Sequence, residues 1–210
     1  MDAKALFGMA LALLLVSVYF GPASAVDSTQ PRLERSHWQE TTDSKCQVWS
    51  PDVELNEAVS WSGPCLSGKA EGYGTVVFRW PENGAWREER YEGEMKGGKQ
   101  HGRGTLYYAG GRRFTGTFRD DKPYAGRLDF PDGAHYDGAF ADDDFDGQGR
   151  YTYRDGSYYV GQFKKGLPNG DGSLHKQGDE PVSGHWTNGC LRQGNRWAVA
   201  GVSKEKCGFR

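Results

Sequence analysis

An aromatic residue, any residue, then glycine returns at near-constant intervals along this 210-residue chain. A fixed period of this size restricts a sequence to stacked copies of one supersecondary unit. The motif reads YEGEM at Tyr91, FTGTF at Phe114, YDGAF at Tyr136, YVGQF at Tyr159 and, with valine in the aromatic position, VSGHW at Val182, giving steps of 23, 22, 23 and 23 residues. An earlier copy, WSGPC at Trp61, stands further from Tyr91, which places an insertion around Trp80–Arg90 (WPENGAWREER). A second landmark recurs within units: GYGTVVF at Gly72, GRGTLYY at Gly102, GQGRYTY at Gly147 and GDGSLHK at Gly170. The unit at Phe114 departs from it, reading YAGRLDF from Tyr124, one residue short.

Each unit reads as a hairpin. In YEGEM the alternation puts Tyr91, Gly93 and Met95 on one face and Glu92 and Glu94 on the other, and GTLYY puts Leu106 and Tyr108 on the apolar side. The connecting stretches KGGKQHG, AGGRR, FPDGAH and YRDGSY are turn chemistry, with glycine free to take positive φ. Six hairpins side by side predict an all-β fold, a single-layer antiparallel sheet of about 12 strands, on the order of 55–60 Å long at ~4.8 Å per strand. Composition then makes sense. The chain holds 31 glycines and 13% aromatics, an odd pairing because glycine packs nothing and loses entropy when ordered. A glycine centred in each first strand is expected to let the ring of a neighbouring unit lie flat on the backbone.

These residues resemble the MORN repeat family, whose unit runs approximately Y-x-G-x-F-x-x-G-x-x-x-G-x-G; the resemblance covers about Trp61 to Cys190. It implies the hairpin solenoid and names no activity. The flanking patterns, CQVW before SWSGPC and NGC…RWAVAGV…C after the repeats, look like exported bacterial proteins that carry such units.

The ends read differently from the middle. Residues 1–25 hold the apolar run Ala5–Phe20 and the small residues Ala23-Ser24-Ala25, the pattern of a signal peptide cleaved after Ala25. A retained membrane anchor is the alternative, although the run is shorter than the ~20 residues a spanning helix needs. Residues 26–45 read as a flexible segment, 46–190 as the repeat solenoid with its N-terminal cap, and 191–210 as a C-terminal cap. A periplasmic or secreted location follows, and the cysteines fit it. Cys46, Cys65, Cys190 and Cys207 are even in number and lie two near each end, so Cys46–Cys65 and Cys190–Cys207 are the expected disulfides, each closing a loop of fewer than twenty residues. They are expected to pin CQVW beside SWSGPC and Trp197–Val202 along VSGHWTNGC, covering the free edges of the sheet with no part in ligand binding.

Chemistry is scarce. The glycine-dense GGKQHGRG leads into another strand rather than a helix and lacks Gly-Lys-Ser/Thr, so it is not a phosphate loop. Asp142, Asp144 and Asp146 match the first half of a calcium loop, but Tyr153 stands where the bidentate glutamate belongs, leaving a weak metal candidate and, as the plainer reading, a charged turn. The five histidines occupy turns or flanks, and the serines show no G-x-S-x-G elbow. No catalytic residue, cofactor or kinase signature is expected. A net charge of -2 offers no bulk attraction for nucleic acid.

What such a sheet offers is its apolar face, with no helix to cover it. The rings expected to line a groove there are Tyr91, Tyr108, Phe114, Phe118, Phe130, Tyr136, Phe140, Tyr153, Tyr159 and Phe163, unless they pack only on each other. The first expectation for function is a non-catalytic exported scaffold that takes a protein segment, a partner subunit or a second copy. The alternative is an envelope-surface binder of lipid headgroups or cell-wall polysaccharide, although no basic cluster suited to anionic lipid is visible.

Overall fold

The computed structural model describes residues 37–51 and 53–209; the expected signal segment 1–25, and residues 26–36 of the expected flexible segment, lie outside them. The described chain forms strands β1 (Trp38–Glu40), β2 (Gln47–Trp49), β3 (Ala58–Trp61), β4 (Cys65–Leu66), β5 (Lys69–Ala70), β6 (Gly72–Glu82), β7 (Ala85–Lys96), β8 (Lys99–Tyr107) and β9 (Arg113–Arg119). It continues with β10 (Lys122–Asp129), β11 (His135–Ala141), β12 (Asp144–Thr152), β13 (Tyr158–Lys164), β14 (Leu167–His175), β15 (Val182–Trp186), β16 (Cys190–Gln193) and β17 (Arg196–Val199), then a 3-10 turn at Glu205–Cys207. Eleven of these form one open antiparallel sheet in the order β15 down to β6 and then β3. The insertion Trp80–Arg90 is the extended end of the β6–β7 hairpin, held by Arg79–Glu88 and Arg87–Glu82 ion pairs at 2.8 and 2.7 Å.

The turns inside the repeat hairpins, β7–β8, β9–β10, β11–β12 and β13–β14, put two consecutive residues at positive φ, the geometry whose twist matches right-handed strands. Gly97–Gly98 sit at 57° and 82°, Lys165–Gly166 at 48° and 78°, Asp120–Asp121 at 48° and 71°, and Asp142–Asp143 at 48° and 66°. Glycine fits the second of these positions without strain, and two turns use aspartate there instead.

The core follows from a row of glycines. Gly74, Gly93, Gly104, Gly116, Gly126, Gly138, Gly149, Gly161, Gly172 and Gly184 are successive cross-strand partners from β6 to β15. Aromatic rings lie on this row. A Cβ on Gly93 would stand 2.5 Å from the Tyr91 hydroxyl oxygen, and one on Gly104 2.6 Å from the Tyr91 Cζ. The ring over a pair of these glycines therefore belongs to the first strand of their own hairpin, two residues before that strand's glycine, and not to a neighbouring unit as the sequence suggested. Its hydroxyl then reaches the backbone one residue beyond the glycine: Tyr91, Tyr136 and Tyr159 donate to the carbonyls of Glu94, Ala139 and Gln162 at 2.7, 2.9 and 3.2 Å. Neighbouring units meet through the second aromatic of the motif. Tyr91, Phe118, Phe114, Phe140, Tyr136, Phe163, Tyr159 and Trp186 make an unbroken edge-to-face column with centroids 5.0–5.2 Å apart. All eight are buried.

Both expected disulfides are present, with Cα–Cα distances of 5.8 Å for Cys46–Cys65 and 5.7 Å for Cys190–Cys207. The caps themselves differ from expectation. Part of the segment 26–45 expected to be flexible is strand, because Trp38–Glu40 pairs with β2. CQVW does not pair with SWSGPC: β2 lies between β1 and β5, and its Trp49 N–H donates to the Gly98 carbonyl at 2.8 Å. The outer edge of β3 is closed by the turn before β2, where Thr42 N–H donates to Val59 O and the Asp43 carboxylate accepts from Trp61 N–H at 3.1 Å. At the other end the tail does not extend the sheet. β17 pairs with β16, and a Cβ on Gly184 would stand 2.7 Å from Leu191 Cδ1, so this hairpin folds onto the apolar face beside Trp186. A strand this short gains more by burying Leu191 and Ala198 than by adding a few edge hydrogen bonds.

Candidate functional site

The aromatic column decides which expected groove rings can touch anything. Tyr91, Phe114, Phe118, Tyr136, Phe140, Tyr159 and Phe163 are spent on the column and are 6% exposed or less, whereas Tyr108, Phe130 and Tyr153 stay partly exposed. Tyr153 lies under the tail, its hydroxyl 4.0 Å from where a Cβ on Gly201 would stand. The rings therefore do not form one continuous open groove.

A narrower concavity does open, on the front half of the apolar face. It encloses about 520 Å³. Its floor is Phe78 and Trp80 of β6, Leu106 of β8, Tyr108, and Leu128 of β10, with Phe114 and Phe140 beneath. One wall is the front cap, Trp49 to Pro51 with Glu54 and Glu57, which is placed there by the bond from β2 to the Gly98 turn. The front cap thus shapes the site as well as closing an edge, which corrects the reading of the caps as edge covers alone. The other wall is the pair of aspartate turns, supplying Asp120, Asp121 and Asp143.

Among the described residues the lining holds six carboxylates, Glu54, Glu57, Glu89, Asp120, Asp121 and Asp143, and two cations, Arg112 and Lys122. Both cations are engaged: Lys122 Nζ stands 2.7 Å from Asp142 Oδ1, and the Arg112 guanidinium stacks 4.6 Å from the centre of the Tyr108 ring. Burial pushes the Tyr108 hydroxyl up to about 12.

Asp121 is the most perturbed of these groups. Its Oδ1 accepts the Gln100 N–H at 2.8 Å, and its own N–H donates to the Gln100 carbonyl at 3.0 Å, tying the β9–β10 turn to the start of β8. Burial drives its carboxyl up to about 7, against the Gln100 hydrogen bond and Lys99, which favour the charged form. Its other oxygen, Oδ2, and the side-chain oxygen of Gln100 are both buried and accept no hydrogen bond among the described residues. Gln100 is 6% exposed.

Sequence reasoning missed Asp121, Gln100, Trp80 and the front-cap acids. Only the aspartates left a signal, in RDDKP and ADDDF, where other units place glycine at the second turn position. The calcium candidate does not assemble as a cation site. Asp142 is held by Lys122 and Asp146 by Lys164 at 3.1 Å, and no metal-holding group of three or more His, Cys, Asp or Glu forms among the described residues.

The MORN repeat profile matches residues 91–111, 136–158 and 159–177. Each match begins on a tyrosine of the column. The unmatched unit between them is the one that starts with Phe114 and whose second strand is one residue short. No curated protein matches the chain. The chain therefore carries MORN repeats at three positions along one continuous sheet.

Proposed function

We propose that this protein is a non-catalytic binding scaffold of an oxidising, exported compartment, and that it holds an extended segment of a partner protein in the front groove. The carrying observation is the concavity of about 520 Å³, whose apolar floor of Trp80, Leu106, Tyr108 and Leu128 lies between the front cap and charged turns. Such a surface suits a chain that alternates buried and exposed side chains. The two disulfides support an oxidising compartment. The acidic lining opposes anionic lipid headgroups, which leaves the membrane-surface reading without a favouring contact.

The test is a three-way binding comparison on the chain from Val26 with both disulfides formed, using a displayed library of twelve-residue peptides, anionic vesicles and cell-wall polysaccharide. Peptide binders weakened at least tenfold by Trp80→Glu are expected. Binding only to vesicles or polysaccharide, unchanged by that substitution, would refute the proposal.

A further inference from the structure

The β9–β10 turn departs from its sibling turns on both sides of the contact it makes with the preceding hairpin. We propose that it is a proton latch, in which Asp121 is held as the neutral acid with its Oδ2–H donating to Gln100 Oε1, and that loss of this proton releases the turn from β8 and loosens the groove wall it forms.

The contact itself belongs to the repeat. The N–H of the second turn residue donates to a carbonyl at the start of the previous hairpin's second strand: Asp121 to Gln100 at 3.0 Å, Gly166 to Phe145 at 3.0 Å and Gly189 to Pro168 at 2.8 Å. What departs is the pair of side chains. Gln100, opposite Met95, stands where the later hairpins place Pro123, Phe145 and Pro168 opposite their phenylalanines, and Asp121 stands where two of those contacts use glycine. Gln100 also brings an N–H, which proline lacks, and Asp121 Oδ1 accepts it at 2.8 Å. That bond holds the carboxyl against β8. Its other oxygen, Oδ2, and Gln100 Oε1 are both sealed from solvent and accept no hydrogen bond among the described residues.

Sealed acceptors need a donor from within the fold. A carboxylate oxygen and an amide oxygen offer only lone pairs to each other, whereas one proton on Oδ2 makes that oxygen a donor and satisfies both. The neutral acid also avoids burying a charge, and burial pushes this carboxyl up to about 7. Lys99 of β8 favours its charge, yet the Lys99 ammonium stands over the Trp49 ring, 4.7 Å from its centre. Asp120 beside it opposes the charge, and on β7 the Tyr91 hydroxyl is raised in part by Asp121 itself. Glu54 and Glu57 of the front cap, Glu89 of β7 and Asp143 of the β11–β12 turn line the same concavity. Once the proton leaves, a sealed charge and a sealed carbonyl oxygen remain, and opening the turn hydrates both. Asp120 and Asp121 line the concavity, so the wall moves with the turn. A carboxyl that regains ordinary acidity in the open turn makes opening about tenfold more favourable between pH 6 and pH 8.

The experiment is a carbon-13 NMR titration of the Asp121 carboxyl in the disulfide-intact chain, with amide exchange at Gln100 and Asp121 read at pH 6 and pH 8, on the parent, Asp121→Asn and Gln100→Met. Both variants keep the backbone bond from Asp121 to Gln100, and the asparagine amide can donate to Gln100 Oε1 at every pH. The parent carboxyl is expected to titrate near 7, and about one pH unit or more lower in Gln100→Met, which lacks the acceptor. Exchange at the two amides, corrected for its intrinsic pH dependence, should rise about tenfold from pH 6 to pH 8 in the parent and less than about twofold in Asp121→Asn. A carboxyl that titrates at pH 5 or below is a charged one satisfied by a turned Gln100 amide or a bridging water, and would overturn the proposal. A midpoint that Gln100→Met leaves in place would overturn the proton bridge, and flat exchange in the parent would overturn the latch. The effect on the groove rests on its reading as a peptide site: a peptide selected at pH 6 should bind the parent several-fold more weakly at pH 8 and Asp121→Asn equally at both. Equal binding to the parent at both, with exchange that does rise, would overturn the link from latch to wall. A library without binders would overturn the peptide site and leave the titration and exchange to decide the latch.

Discussion

The front and back halves of the apolar face are built from the same hairpin, yet only one of them is open. In the back half, the β16–β17 hairpin lies on the sheet, burying Leu191, Ala198 and Ala200. The turn that joins β13 to β14 there has glycine, Gly166, at its second position. In the front half the cap stands to the side, bonded to the Gly98 turn, and the facing turns carry Asp121 and Asp143 in the glycine position. The difference teaches that the repeat supplies the scaffold and the departures from the repeat supply the site. The glycine row and the aromatic column run without interruption under both halves.

The largest effect is expected from breaking what the halves share. Tyr136 sits in mid-column, touching Phe140 and Phe163 at 5.1 Å and stacking on Phe145 at 3.8 Å. Tyr136→Ala should cost about 3–5 kcal/mol, read by chemical denaturation. Its transition should stay single, because the column couples units on both sides; a biphasic curve that spares the front half would show the halves to be independent.

The next effect separates the halves. Replacing Cys190 and Cys207 with serine frees the tail from its clamp and should cost about 3 kcal/mol on the loop-entropy scale. Uncovering the back half exposes apolar surface, so self-association should rise in sedimentation. Peptide affinity in the front groove should be unchanged in the folded monomer, and a parallel loss of affinity would make the tail part of the site.

A smaller effect concerns Asp121 alone. Its carboxyl is raised by burial to about 7 from 3.8 in the unfolded chain, so the fold favours the protonated form. That contribution is full below pH ~4 and is lost as pH rises through about 7. Asp121→Asn should therefore match the parent near pH 4 and exceed it by pH 8, a difference of roughly 2–4 °C in Tm for each kcal/mol relieved. A constant difference across that range would remove burial as the cause.

Much of this was legible in the sequence, for a physical reason. Period, alternation and turn glycines fix face and register, because a one-residue slip would carry Tyr91, Gly93 and Met95 to the solvent side; the sixth expected hairpin does not form in the sheet, which ends at β15 with eleven strands because β16 pairs with β17 instead. The disulfides followed from loop length. The site was less legible, because it depends on what lies against the sheet and not on the strands themselves. Nothing in CQVW says that β2 pairs with β1 and β5 rather than with SWSGPC, since three-residue strands carry too few side chains to choose a partner. The ten rings were readable as one face. Which of them stay reachable depended on edge-to-face packing that consumes seven, and on a tail that comes close to Tyr153. Asp121 was visible only as a break in the turn pattern, and its buried oxygen depended on Gln100, a partner 21 residues away.

The most direct measurement is amide hydrogen–deuterium exchange on the disulfide-intact chain, with and without a peptide selected from the twelve-residue library. Protection is expected at Lys99–Gln100, at Asp120–Lys122 and at Trp49–Ser50, with β13 to β15 unchanged. Protection centred on β13 to β15, or spread evenly over all units, would contradict a site made by the departures from the repeat.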